Sequence, residues 1–359
     1  MAGTWGKNIQ LSIFGESHGT AVGITINGIP AGVELDLDFI RDEMHRRKPG
    51  KNRLATARSE SDEFKIISGY FNGRTTGSPL CCIIDNQDKR SKDYSSIKNL
   101  VRPGHADLSA KLKYHNFNDY RGGGHFSGRL TAPLVFAGAI AKQLLLERNI
   151  TIGAHVYSIS DIYDTPFDLN NIDETTLQNL THRDFPTISA DSKVQMEQEI
   201  INAREELDSI GGVVEVAAIN LPGGIGSPFF DSVESVISHL AFSIPGVKGI
   251  EFGLGFDITK INGSEANDEM YIEGDQVKTY TNNNGGITGG ITNGMPLVYR
   301  VAFKPTPSIG KLQRTVDMET GESTTVKIEG RHDPCIVLRA LPVVEAITAI
   351  ALLDLIYDG

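Results

Sequence analysis

Residues 10–26 read QLSIFGESHGTAVGITI, and the parsing of this stretch decides the fold class. Two short β-like runs, 10–14 and 22–26, flank the loop Gly15-Glu16-Ser17-His18-Gly19. The loop matches G-x-S-x-G, the nucleophile elbow of hydrolases. That elbow needs a strand running into a helix, oxyanion donors upstream, and an Asp and a His downstream. Here the motif stands almost at the N-terminus and leads into a second β-like, glycine-rich run. What remains is a glycine-flanked histidine between two strands.

Working outward, β-like and helical runs alternate along the chain. Residues 36–47 carry Leu37, Ile40 and Met44 on one helical face. Residues 81–84 form a short apolar strand, and 108–115 a helix with Asp107 as its N-cap. Residues 131–148 read as a long apolar helix that tolerates Pro133 in its first turn. Strands follow at 151–158, 213–219, 247–252, 296–303 and 324–328. Helices are expected at 194–209, stopped by Gly211-Gly212, and at 232–242 and 343–357. The mixture is α/β or α+β, and periodicity alone leaves the sheet order open.

Composition narrows the function. Lys+Arg 34 against Asp+Glu 45 gives a net charge of −11, which argues against a general nucleic-acid binder. The 3 cysteines, Cys81, Cys82 and Cys335, have no C-x-x-C spacing, so no thiolate zinc site is expected. Their sparseness fits a reducing compartment. No basic region followed by an apolar run opens the chain, and charges such as Glu147, Glu345 and Asp354 interrupt its apolar stretches. A cytoplasmic protein without a membrane partner is expected. The 38 glycines, well above the usual share, point to tight turns and close backbone approach to a ligand.

Several short motifs carry chemistry. Arg41, Arg46, Arg47, Lys48, Lys51, Arg53 and Arg58 form a basic island on an acidic chain. The island is either a solvated helix end favoured by the helix dipole or a seat for a small polyanion. Arg102-Pro103-Gly104-His105-Ala106-Asp107 presents an imidazole on a stiff turn before a helix. Arg121-Gly122-Gly123-Gly124-His125-Phe126-Ser127-Gly128-Arg129 lets backbone approach a ligand at a helix start. It is neither G-x-G-x-x-G nor a P-loop. Gly285-Gly286-Ile287-Thr288-Gly289-Gly290, Lys304-Pro305-Thr306-Pro307-Ser308 and Gly330-Arg331-His332-Asp333-Pro334-Cys335 complete the set, with Arg339 close behind.

In their order and co-occurrence these motifs resemble the chorismate synthase family, over essentially the whole chain. The resemblance implies an α+β fold, a β-α-β sandwich of helices between antiparallel sheets, formed by one domain spanning 1–359. It implies anti-1,4-elimination of phosphate from 5-enolpyruvylshikimate 3-phosphate, giving chorismate. The cofactor is reduced FMN, with no net redox change and with NADPH as an indirect reductant left open; the usual assembly is a homotetramer.

By the same resemblance His18 protonates the departing phosphate, His105 serves the reduced flavin near N1, and Asp333 assists proton removal by way of flavin N5. The flavin contacts fall on His125, Phe126, Ser127, Pro245, Gly246, Gly289, Lys304, Pro305, Thr306, Pro307, Ser308 and Arg331. Arg47, Arg53, Arg129 and Arg339 take the substrate anions or NADP. Many members have Arg-Ser-Ser where this chain has His125-Phe126-Ser127, Asn-Ala at Pro245-Gly246, and Ser at Pro307. Contacts there are expected through the backbone. Two other readings stay open at this point: a flavin-dependent reductase of another anionic metabolite, and a non-catalytic FMN- or phosphometabolite-binding protein.

Overall fold

Alternation along the strand Leu80–Asp85 explains how the first sheet meets the core. Leu80, Cys82 and Ile84 are buried while their neighbours are half-buried. The computed structural model describes residues 3–48, 54, 61–87, 98–328 and 333–358. In it this strand lies between Ala21–Asn27 and Phe64–Ser68, with Gln10–Gly15 and Thr4–Trp5 beyond, all antiparallel. A second antiparallel sheet runs Val247–Phe252, Leu297–Phe303, Gly212–Ile219, Thr151–Ile159, Ile162–Tyr163.

The helix Thr131–Leu146 and the C-terminal helix Val337–Ile356 fill the space between the sheets. Both are apolar around nearly their whole circumference, which only a helix enclosed on all sides can sustain. They pack on each other, and both touch the strand Thr151–Ile159; the first also meets Ala21–Asn27. Gly138 sets the closeness of the pair: a Cβ there would stand 2.2 Å from the Ala346 Cβ. Residues 128–146 are long and apolar enough to cross a membrane by length and composition, yet that stretch is 89% buried inside the protein. It is the core helix of the sandwich. One hydrophobic cluster runs from Ile9 to Leu355.

Charge also crosses this core. Glu345, fully buried, accepts from Arg46 at 2.6 Å and from Lys142 at 2.5 Å. Glu43 accepts from the same two cations, at 2.9 and 2.6 Å. This quartet of two cations and two carboxylates ties Leu37–Arg47 to both central helices.

Three expectations need correction. The helix expected at 194–209 is Ala190–Glu205: Ser189 caps it, accepting from Ser192 N, and Gly212 opens the next strand instead of stopping the helix. The last helix starts at Val337, six residues before the expected start, and carries Pro342 inside it. Burial of Val337 and Leu341 outweighs the hydrogen bond the proline lacks. Asp107 is not the N-cap of Asp107–Tyr114; Ala106 holds that position, and the Asp107 carboxylate is turned to Arg102.

Candidate active site

His18 lies in the loop joining Gln10–Gly15 to Ala21–Asn27 and is only 6% exposed. A second loop holds it. Ser17 N donates to Gly124 O at 3.2 Å, and Ser17 Oγ to Gly122 O at 3.1 Å. Gly122, Gly123 and Gly124 all have positive φ, a backbone path that other residues adopt only under strain. Gly122 is also a matter of space: a Cβ there would stand 2.3 Å from the His18 Cδ2 and 2.6 Å from its Nε2. Gly122→Ala should therefore displace the imidazole. The expected result is a kcat lower by about tenfold or more, the cost of moving a reacting group by roughly 1 Å. Steady-state kinetics beside a circular-dichroism melt will check it; unchanged kcat would show that the ring has room to spare.

His105 stands on a turn closed by charge. Arg102 donates to Asp107 from Nε at 2.7 Å, from Nη2 at 2.8 Å and from its backbone N at 3.0 Å. Burial works against the Asp107 charge, but these bonds and the Arg102 charge prevail and hold its carboxyl below the usual range. From the second sheet, Lys304 follows the strand Leu297–Phe303 and donates from Nζ to Gly104 O at 2.6 Å. The two halves of the chain thus meet over a cavity of about 670 Å³.

His105, His125, Phe126 and Ser127 line this cavity. So do Pro245, Gly246, Lys304, Pro305, Thr306 and Pro307. His125 is turned aside, its Nδ1 donating to Gly15 O at 2.8 Å. His18 is not itself among the lining residues; it packs against Gly122, which is. Ser308 follows Pro307 just outside the lining. Gly289 lies elsewhere, at the turn between Ile287–Thr288 and Ile291–Thr292; that turn packs near Ser232 and Gly226, so the chain does not bring Gly289 to the cavity. Arg53 and Arg331 fall outside the described residues, as do Lys51 and Arg58.

Arg47, Arg129 and Arg339 form a cluster beside the cavity. Arg47 donates to Asp62 Oδ2 from Nη2 at 2.6 Å and reaches Thr131, a lining residue, at 3.3 Å. Arg129 bonds Asp62 Oδ1, and its Nε donates to Asn86 Oδ1 at 2.9 Å. Arg339 donates from Nε to Arg47 O at 3.4 Å and from Nη1 to Asp333 Oδ2 at 2.5 Å. Asp333 O accepts from the Thr306 hydroxyl at 2.5 Å, which links the cluster to the cavity wall. Asp333 Oδ1 is buried and has no hydrogen-bond partner among the described residues.

Among the described residues, three guanidiniums therefore face two carboxylates. Burial, then the charges of Arg339 and Arg129, lower the Arg47 pKa despite Asp62. Burial opposes the Asp62 charge, yet Arg47 and Arg129 hold its carboxyl below the usual range. The basic island is accordingly not an open patch where it is described. Arg41 pairs with Asp38, Arg46 with Glu43 and Glu345, and the buried Arg47 with Asp62. Sequence reading missed Asp62 and Asn86, each a single polar residue outside any motif.

A model of the chorismate synthase family matches residues 9–357. The chain belongs to the chorismate synthase family. The chorismate synthase of Thermococcus gammatolerans is 48% identical over 349 residues, covering 97% of this chain and 96% of the relative. That of Methanosphaera stadtmanae is 44% identical over 355 residues, covering 99% and 96%. That of Dehalococcoides mccartyi is 46% identical over 355 residues, with the same coverage. A chorismate synthase crystal structure superposes with a TM-score of 0.77 at 30% identity, covering 99% of this chain and 93% of that one.

The expected sandwich of antiparallel sheets and helices is thus borne out. So is the activity. The protein is a lyase of aromatic amino acid biosynthesis that eliminates phosphate from 5-enolpyruvylshikimate 3-phosphate to give chorismate, and the family requires reduced flavin.

Proposed function

We propose that the 670 Å³ cavity is where this chain holds reduced FMN against 5-enolpyruvylshikimate 3-phosphate, with His18, His105 and Asp333 as the groups that act. The observation that carries the reading is Asp333 Oδ1. It is a buried carboxylate oxygen with no donor among the described residues, which is costly. Its residue hangs on Thr306 of the cavity wall, so an N–H donor of a bound flavin ring would satisfy it there. The volume falls within the range usual for cofactor sites. The fit is supported further by His105, Pro245-Gly246 and Lys304 to Pro307, which all line the cavity.

The flavin, when bound, supplies transient electron density for an elimination without net redox change. The chain supplies position and field. His18 holds a proton for the departing phosphate, and His105 and Lys304 favour negative charge on the ring. Arg47, Arg129 and Arg339 match the substrate's phosphate and carboxylates, with Arg53 and Arg331 as further candidates. The reading includes Ser308, next to the lining residue Pro307, as a flavin contact, and one functional unit over 1–359. It further includes a homotetramer in the cytoplasm, NADPH as an indirect reductant, and no nucleic-acid or membrane partner.

An anaerobic experiment tests it. Protein, reduced FMN and substrate are mixed, and chorismate absorbance, inorganic phosphate and flavin absorbance are followed together. Equal release of chorismate and phosphate with the flavin still reduced is expected. Net flavin oxidation would favour a reductase, and ligand binding without phosphate release a mere binding protein.

A further inference from the structure

Asn86 is 5% exposed, lies just after the strand Leu80–Asp85, and commits its side-chain amide and its backbone N to two other elements. Its side-chain nitrogen donates to Glu16 O at 2.9 Å and to Gly19 O at 3.1 Å. Its backbone N donates to Thr20 O at 3.1 Å. Its side-chain oxygen accepts from Arg129 Nε at 2.9 Å. The partners fix the amide orientation, since the carbonyls only accept and the guanidinium only donates. One small side chain therefore grips both ends of the loop carrying His18 and, with its other atom, the guanidinium that Asp62 also holds.

We propose that Asn86 is a positioning residue for His18, fixing the imidazole relative to Arg129 so that proton donor and anion holder keep one spacing. The inference rests on the reading of His18 as the proton donor and Arg129 as a substrate contact. Among the described residues, two side chains anchor the loop, each in its own way. Ser17 ties its middle to the glycine loop, whereas Asn86 ties Glu16 and Gly19, the residues on either side of Ser17 and His18. A side chain in this position acts through geometry, where a shift of roughly 1 Å is worth up to about 100-fold in rate.

The test is a double-mutant cycle with steady-state kinetics. Asn86→Asp keeps an acceptor for Arg129 and loses both bonds to the loop; Asn86→Ala loses all three side-chain bonds. Asn86→Asp is expected to lower kcat by roughly 10- to 100-fold, with substrate KM and flavin affinity changed by less than about threefold. In a His18→Ala background the same substitution should cost less than about twofold, because no imidazole remains to be misplaced. A merely structural role would give the same loss in both backgrounds, and that result overturns the proposal. So does unchanged kcat in both Asn86 variants while His18→Ala is impaired. Full turnover by His18→Ala alone would end the reading of His18 and this inference with it.

Discussion

His18→Ala lowers turnover by roughly 10²- to 10⁴-fold, the span of a lost general acid, while the fold and flavin binding persist. The reason lies in how the loop is built. Its path is set by Ser17 N, Ser17 Oγ and the Asn86 amide, none of which belongs to the imidazole. Removing the ring leaves those bonds in place and opens space beside Gly122. His105→Ala should behave alike, since its turn is held by the Arg102–Asp107 pair and by Lys304 on Gly104 O. Single-turnover phosphate release measures the loss, and flavin titration tests binding. Thermal melts separate the loss of either histidine from a general loss of packing. Full activity in both variants would remove the proposed proton donors.

Contiguity decided what the sequence made legible. His18, His105, the triple-glycine loop and Lys304 to Pro307 each sit in a short motif; three of those motifs line one cavity, and His18 packs against Gly122 of its lining. The strands at 10–15 and 21–27 and the helix from Thr131 were readable because alternation and continuous apolarity are local signals. What escaped was decided at long range. Arg46 finds Glu345 299 positions away, and Arg129 finds Asp62 and Asn86 67 and 43 positions away. No periodicity encodes such pairings, so Arg46 and Arg47, which look like part of an exposed island, turn inward, while Arg41 stays on the surface. The helix through Pro342 escaped for a related reason: proline reads locally as a break, while the burial that overrides it comes from the whole sandwich. Asp107 looked like a cap because its sequence position suited one, yet a bidentate guanidinium outbids the helix N–H groups for its oxygens.

Glu345→Gln should cost about 3–5 kcal/mol of stability, the range for removing one partner of a buried charge pair. The amide keeps the shape but leaves Arg46 and Lys142, both largely buried, with Glu43 as their remaining carboxylate in the quartet. Acid titration gives the sharper signature. Burial opposes the Glu345 charge, yet Arg46 and Lys142 overcome it and hold its pKa at about 2, against an ordinary 4.5. A depressed carboxyl stabilises fully above its unfolded pKa and loses that contribution as pH falls toward the folded one. The unfolded chain binds the extra proton in that window, so wild-type stability should fall between pH 4.5 and about 2, by roughly 3 kcal/mol from this group. The Gln variant should lack that component, so the two stabilities converge as the acid limit is approached. Urea unfolding across this pH range measures both curves. Parallel curves would mean that Glu345 is not the carboxylate bearing the charge of the quartet. The same substitution has a functional reach, because Arg46 precedes Arg47 on the helix Leu37–Arg47. Loosening that helix end slackens the Arg47–Asp62 pair beside the cavity, and substrate KM should rise with flavin affinity unchanged.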